Sequence, residues 1–177
     1  MFERIIDLIA NGWERISPLV VVYAYEQGVV LRFGKYHRTI DAGLRWKIPF
    51  AEEVSQVTTA VTTLRLPPQT LTTADDHSVV VSAIVKYRIA DPRPYVTDIW
   101  DQVDVLADVT MGAIRSTTVG ATWEELRTKP PEQAVLAEVR KQANRYGFKI
   151  EAVTFVDLGR VRSLRFMTNN IPLNLDN

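Results

Sequence analysis

Residues 78–91, SVVVSAIVKYRIAD, constrain the fold more than any other stretch of the chain. Ala83, Val85, Tyr87 and Ile89 take one face of an extended chain, and Ser82, Lys86 and Arg88 take the other. Successive side chains of a β-strand point to opposite faces of the sheet. The alternation therefore predicts a strand with one buried and one solvated face, which is typical of a mostly antiparallel sheet.

The residues before this strand also have strand-like composition. Residues 19–33 are rich in β-branched and aromatic side chains, residues 46–50 alternate, and residues 53–66 predict one further strand. Gly28 and Gly34 are interpreted as turn glycines, because glycine adopts positive φ at little steric cost.

A change of class follows at Asp91, where an Asp-Pro dipeptide ends the strand pattern. Helical patterns follow, and Thr122 and Glu125 fit a capping box at the start of one helix. Residues 148–158 alternate again as a strand. The order of strands, helices and a final strand predicts an α+β fold with a small, mostly antiparallel sheet.

The N-terminal segment, residues 1–18, predicts an amphipathic helix. Its apolar side chains recur at helical spacing on one face, and they are Phe2, Ile5, Ile6, Ile9, Trp13 and Ile16. Two interpretations remain open: the helix packs on its own domain or a neighbouring subunit, or it lies in a membrane interface. The chain contains no run of the roughly 18 to 20 apolar residues needed to span a bilayer.

The composition and motifs favour a protein without catalytic chemistry. The sequence has no cysteine, which excludes disulfides, thiolate metal sites and thiol catalysis. The formal net charge is zero, so a bulk basic field for nucleic acid is absent. Asp75, Asp76 and His77 have no supporting catalytic group and predict a solvated turn. We therefore predict a non-enzymatic protein with no cofactor and no metal.

Several stretches in order resemble the SPFH domain, also called the band 7 domain, of stomatins, prohibitins, flotillins and the paired regulators of a bacterial membrane protease. The matching stretches include YEQGVVLRFGKYHRTIDAGLRWKIPF, the VVSAIVKYRIADP strand and exit, and YGFKI before the last strand. The resemblance covers roughly residues 20–158. It predicts an SPFH-like domain at residues 19–158, preceded by the helix at 1–18 and followed by an extension at 159–177.

The resemblance implies a self-associating scaffold at a membrane surface, peripheral or monotopic, that organises membrane microdomains or regulates membrane proteases or channels. Its implied partners are other copies of the chain, in a cyclic or closed homo-oligomer, and the lipid surface. Family members continue after the domain into a long coiled-coil helix. Residues 171–175 contain a proline, which disfavours the start of such a helix there.

Two alternatives belong to other classes of function. The first is a soluble ring or shell protein that uses the same fold, with residues 2–16 packed on a neighbouring subunit. The second, more distant one is a nucleic-acid-binding module that uses Arg160, Arg162 and Arg165. No nucleic-acid partner is expected in the preferred interpretation, where these three arginines contact carboxylates of an adjacent subunit.

Overall fold

The structure is a computed structural model that describes residues 17–129 and 131–161. In that part of the chain the strands are β1 (Leu19–Val22), β2 (Glu26–Arg32), β3 (Lys35–Ile40), β4 (Gly43–Trp46), β5 (Glu52–Thr58), β6 (Thr62–Arg65), β7 (Gln69–Thr72), β8 (Ser78–Ile89) and β9 (Phe148–Arg160). The helices are α1 (Pro92–Thr97), α2 (Gln102–Val119), α3 (Trp123–Thr128) and α4 (Glu132–Ala143), followed by a 3₁₀ turn at Asn144–Tyr146.

The described strands form three antiparallel sheets. β1 pairs with β4 as a two-stranded ribbon, and β2 lies between β3 and β5. In the third sheet, β8 is central: β7 and β6 pair in succession along one edge, and β9 runs along the other. The helices follow, so the predicted α+β class and order of elements are confirmed.

The core lies between β8, β9 and the helices. Residues of β8 alternate between buried and more exposed positions along the whole strand, as the sequence pattern predicts. Their buried face packs with apolar side chains of α2 and α4, including Leu106, Ile114, Val135 and Val139. Burying a side chain of this size contributes roughly 1.5–3 kcal/mol, so this interface is the main source of stability in the C-terminal half.

Three local predictions need correction. The strand predicted over residues 53–66 is two strands, β5 and β6, which belong to different sheets. Gly28 lies inside β2, where a Cβ atom would meet Ile40 Cγ1 at 2.7 Å, so close packing explains this glycine. Gly34 does occupy a turn, with a φ of +78°.

Candidate functional site

The N-terminal strands expose an unusually large set of apolar side chains. On the ribbon, Leu19 pairs with Trp46 and Val21 with Leu44, so all four side chains share one face. Each of the four is exposed, Trp46 to 70%. We call the larger set that includes the neighbouring loops the apolar rim: Leu19, Val21, Phe33, Leu44, Trp46, Ile48 and Phe50. Surface patches of this kind mark interaction sites in soluble proteins.

Phe33 and Phe50 in the apolar rim have strained backbones. Their φ angles are +49° and +63°, in the left-handed region that bulky residues rarely adopt. Strain of this kind costs on the order of 1 kcal/mol or more. The two rings are 80% and 85% exposed, so packing within the described part of the chain does not offset it.

Glu52 connects the elements that carry the apolar rim. Its carboxylate accepts hydrogen bonds from Arg32 (2.7 Å), Arg38 (2.9 Å) and the backbone N–H of Ile48 (3.0 Å). Arg38 also donates to the carbonyl of Trp46 at 3.0 Å. The carboxylate therefore joins β2, β3 and the loop after β4.

The side chain of Glu52 is completely inaccessible to solvent. Burial alone would raise its pKa, but the hydrogen bonds from Arg38, Ile48 N–H and Arg32 outweigh it and lower the pKa from 4.5 to about 2. Glu52 is therefore ionised at neutral pH and holds the two arginines in place. The side chains of Arg32 and Arg38 remain 38% and 37% exposed, so each is still partly in contact with solvent.

Positive charge accompanies the apolar rim. Arg32 and Lys35 flank the Phe33-Gly34 turn, and Arg38 lies on the adjacent strand β3. Glu52 neutralises one of these charges, and Lys35 is exposed. An aromatic loop flanked by cations matches the side chains found at the interface between a membrane and water.

Asp75 ties the turn between β7 and β8 to the start of α3. Asp75 accepts hydrogen bonds from the Thr73 hydroxyl at 2.6 Å and from the Trp123 N–H at 3.0 Å. The Thr73 hydrogen bond is the main cause that lowers the pKa of Asp75. The bonds tie the β7–β8 turn to the start of α3, and His77 lies 3.7 Å from the Asp75 carboxylate. Within residues 17–129 and 131–161, no group of His, Asp or Glu residues could hold a metal ion.

Most of the contact residues predicted from the sequence lie outside the described residues. These are Phe2, Ile5, Ile6, Ile9, Trp13 and Ile16 of the N-terminal helix, with Arg162 and Arg165. Arg160 is described: it is exposed at the end of β9, opposite Val79 of β8. No helix in the described part of the chain is both long and apolar enough to cross a bilayer.

The apolar rim was not predicted as a surface from the sequence. The alternation of residues 46–50 predicted a strand, whereas β4 ends at Trp46 and the residues that follow form an exposed loop. A usable signal is present: Phe33 precedes a glycine and Phe50 follows a proline, so both aromatics stand beside turn residues.

Comparison with known proteins shows one family across most of the chain. The SPFH domain / Band 7 family matches residues 20–162. The match begins in β1, one residue after its start, and extends through β9, so it includes all the other described strands and every described helix.

Individual relatives are more distant and longer. Protein HflK of Vibrio cholerae is 38% identical over 109 residues, which are 61% of this chain and 27% of that protein. A protein of Archaeoglobus fulgidus is 28% identical over 152 residues, 85% of this chain and 61% of its own length. The modulator of FtsH protease HflK of Escherichia coli is 31% identical over 113 residues, 64% of this chain and 27% of that protein. The chain thus spans between about a quarter and three fifths of these relatives.

Proposed function

The chain belongs to the SPFH domain / Band 7 family, and from that premise we propose that it is a non-enzymatic, self-associating scaffold at a membrane surface. In this role it organises membrane microdomains or regulates a membrane protease or channel. The apolar rim, together with residues 2–16, holds it on the lipid.

The observation that carries the proposal is the pair of exposed phenylalanines in strained backbone conformations. Phe33 and Phe50 remain solvent-exposed although an asparagine or glycine would relieve the strain. Strained residues cluster at functional sites, where an interaction elsewhere offsets the strain. Insertion of the two rings and Trp46 into a lipid interface would contribute roughly 4–7 kcal/mol before the costs of association.

The chemistry of the apolar rim favours lipid as the ligand. Aromatic side chains partition to the headgroup level of a bilayer, and Lys and Arg near them attract anionic headgroups. Arg32 and Lys35 flank Phe33 in this way.

Regulation of a membrane protease rests on the relatives. One relative is named a modulator of FtsH protease, at 31% identity over 64% of this chain. A scaffold can regulate a protease by controlling which proteins reach it, and this requires no catalytic group.

A soluble ring or shell is the second candidate. It is favoured by the net charge of zero, which weakens repulsion between copies. In that case the apolar rim and residues 2–16 pack on neighbouring subunits, and assembly proceeds without lipid.

Flotation of the full chain with liposomes that contain anionic lipid tests the membrane role. We expect the parent protein to float and the double variant Phe33→Asn and Phe50→Asn to lose most of that binding. Asparagine tolerates positive φ, so this variant should be as stable as the parent or more stable.

The control is Val119→Asn, which removes an exposed apolar side chain outside the apolar rim. It should float like the parent. Equal flotation of the parent and the double variant would contradict the assignment of the rim. A parent that forms oligomers but never floats would favour the soluble ring or shell.

A further inference from the structure

Trp100 is the most exposed large apolar side chain in the described part of the chain. It lies between α1 and α2 and is 97% exposed. Asp98 and Asp101 stand on either side of it, and Asp104 and Asp108 continue along α2 at spacings of three and four residues, which place them on one side of the helix. We call these five residues the Trp100 flank. Among the described residues, its aspartates form no ion pair.

A groove of about 480 Å³ lies between the end of α4 and the start of β9. Its apolar lining comes from Ala137, which is exposed, and from Phe148 and Ile150 at the floor, each only 2% exposed. Its basic lining comes from Arg140, Lys141 and Lys149. The volume is within the range of small-ligand pockets, so it is sufficient for an indole ring. Lys141 and Lys149 are exposed and form no ion pair with the described residues. We call this site the α4–β9 groove.

The two sites lie at the same end of the domain. Glu132, at the start of α4, accepts from Phe155 N–H, while Arg140 near its end donates to Ile150 O. α4 therefore runs antiparallel to β9, and its end lies beside the start of that strand. α2 runs toward the β7–β8 turn, because Ala121 after its end accepts from Ala74 N–H. Its start therefore lies at the same end of the sheet as the end of α4.

The two sites lie on different helices of the helical layer. α4 packs on β9, along one edge of β8, whereas α2 packs on β7, along the other edge, and the two helices contact each other. The Trp100 flank starts α2, whereas the α4–β9 groove is lined by α4, the 3₁₀ turn and β9 and by no residue of α2. The two sites are therefore separate surfaces at one end of the domain, and two copies at the same level can join them.

We propose that the Trp100 flank of one copy docks into the α4–β9 groove of a second copy of this chain, in a head-to-tail contact. The indole ring packs on Ala137 and on the methylene groups of the basic side chains. The aspartates meet Lys141 and Lys149, and also Arg140, which keeps its bonds to two backbone carbonyls of β9. The inference rests on the self-association in the proposed function, and it names the two surfaces that carry it. Repeated contacts of this type form a ring if the rotation closes and a filament if it does not.

Charge complementarity identifies the partner as a second copy. The four aspartates of the Trp100 flank form no ion pair with the described residues, and neither do Lys141 and Lys149 of the groove. The two surfaces of one chain thus carry opposite charges. Exposed Trp and Arg residues are enriched among the residues that dominate binding at interfaces. Two Trp100 flanks repel each other, and so do two grooves, because each pair carries charge of the same sign. The association is therefore head to tail.

The contact is tested by mixing two variants, each of which replaces at least one charged side chain by an uncharged one. The first, Trp100→Ser with Asp104→Asn, alters only the Trp100 flank; the second, Lys141→Gln with Lys149→Gln, alters only the groove. We expect each change to weaken association at least about 30-fold, the effect of one interface hot spot, so each variant alone is monomeric in sedimentation. Their mixture retains one intact pair of surfaces and should form a 1:1 dimer that grows no further.

The control is Val61→Ser with Glu53→Gln, an apolar and an acidic change at exposed positions outside both surfaces. It should assemble like the parent. Parent-like assembly of the two interface variants, or a mixture that stays monomeric, would overturn the contact, as would a parent that is monomeric with and without liposomes. Both interface variants should still float through the apolar rim. Loss of flotation in the rim variant therefore reports on the membrane role, and loss of assembly reports on this contact.

Discussion

Replacement of Glu52 by glutamine should destabilise the protein in a way that depends on pH. The glutamine side chain keeps the shape of the original and an oxygen that can accept from Ile48 N–H, but it removes the negative charge that Arg32 and Arg38 share. The two guanidinium groups, each more than a third exposed, then lose a charged partner whose own side chain is inaccessible to solvent.

The size of the effect follows from the pKa of Glu52. A fall from 4.5 to about 2 corresponds to an upper limit of about 3.4 kcal/mol of folding free energy, at roughly 1.4 kcal/mol for each tenfold change. Because both arginines are more than a third exposed, solvent screening reduces this to about 1–2 kcal/mol. In a chain of this size the midpoint of thermal unfolding should fall by about 2–8 °C.

The sign of the pH dependence follows from the lowered pKa in the folded state. Glu52 contributes its full stabilisation above pH 4.5, and the contribution declines as the pH falls toward about 2. At pH 3, about two fifths of the full contribution remains. The difference in unfolding free energy between parent and Glu52→Gln should therefore shrink over this window.

Urea unfolding of both proteins between neutral pH and pH 3 measures this difference. Glu53→Gln is the matched control, because Glu53 is the next residue of β5 and is exposed; it should match the parent at every pH. A Glu52→Gln variant as stable as the parent at neutral pH, or a difference that does not change with pH, would refute the assigned role of Glu52.

Two further substitutions test the backbone of the C-terminal half. Gly147→Ala should lower the unfolding free energy by more than the roughly 1–3 kcal/mol of backbone strain, because φ is +83° and the new Cβ would also clash with Asp91 O. Gly34→Ala has a similar φ of +78° but open space around it, so it should show only the backbone strain. Equal losses in the two variants would exclude the clash. Thr122→Ala removes the N-cap hydrogen bond to Glu125 N–H and should cost about 1 kcal/mol in thermal unfolding; an unchanged midpoint would contradict this.

Local sequence signals determined the elements whose structure depends on near neighbours. The alternation of residues 78–91 predicted β8, because a half-buried strand needs an apolar side chain at every second position. The capping box at Thr122 and Glu125 formed as predicted, since its donors and acceptors lie within four residues of each other. Gly147 ends the helical region in a left-handed conformation for the same local reason.

Only the tertiary structure decided which apolar residues remain exposed. Trp46 and Phe50 have the composition of core residues, and their exposure depends on the register of β1 with β4 and on the loop that Glu52 anchors. Glu52 itself is an ordinary acidic residue in the sequence, and its low pKa comes from arginines 14 and 20 residues away along the chain. The burial and the electrostatic environment of a side chain depend on many residues that are distant in sequence. Local periodicity therefore predicts the strands and helices, but it does not predict the surface that they form together.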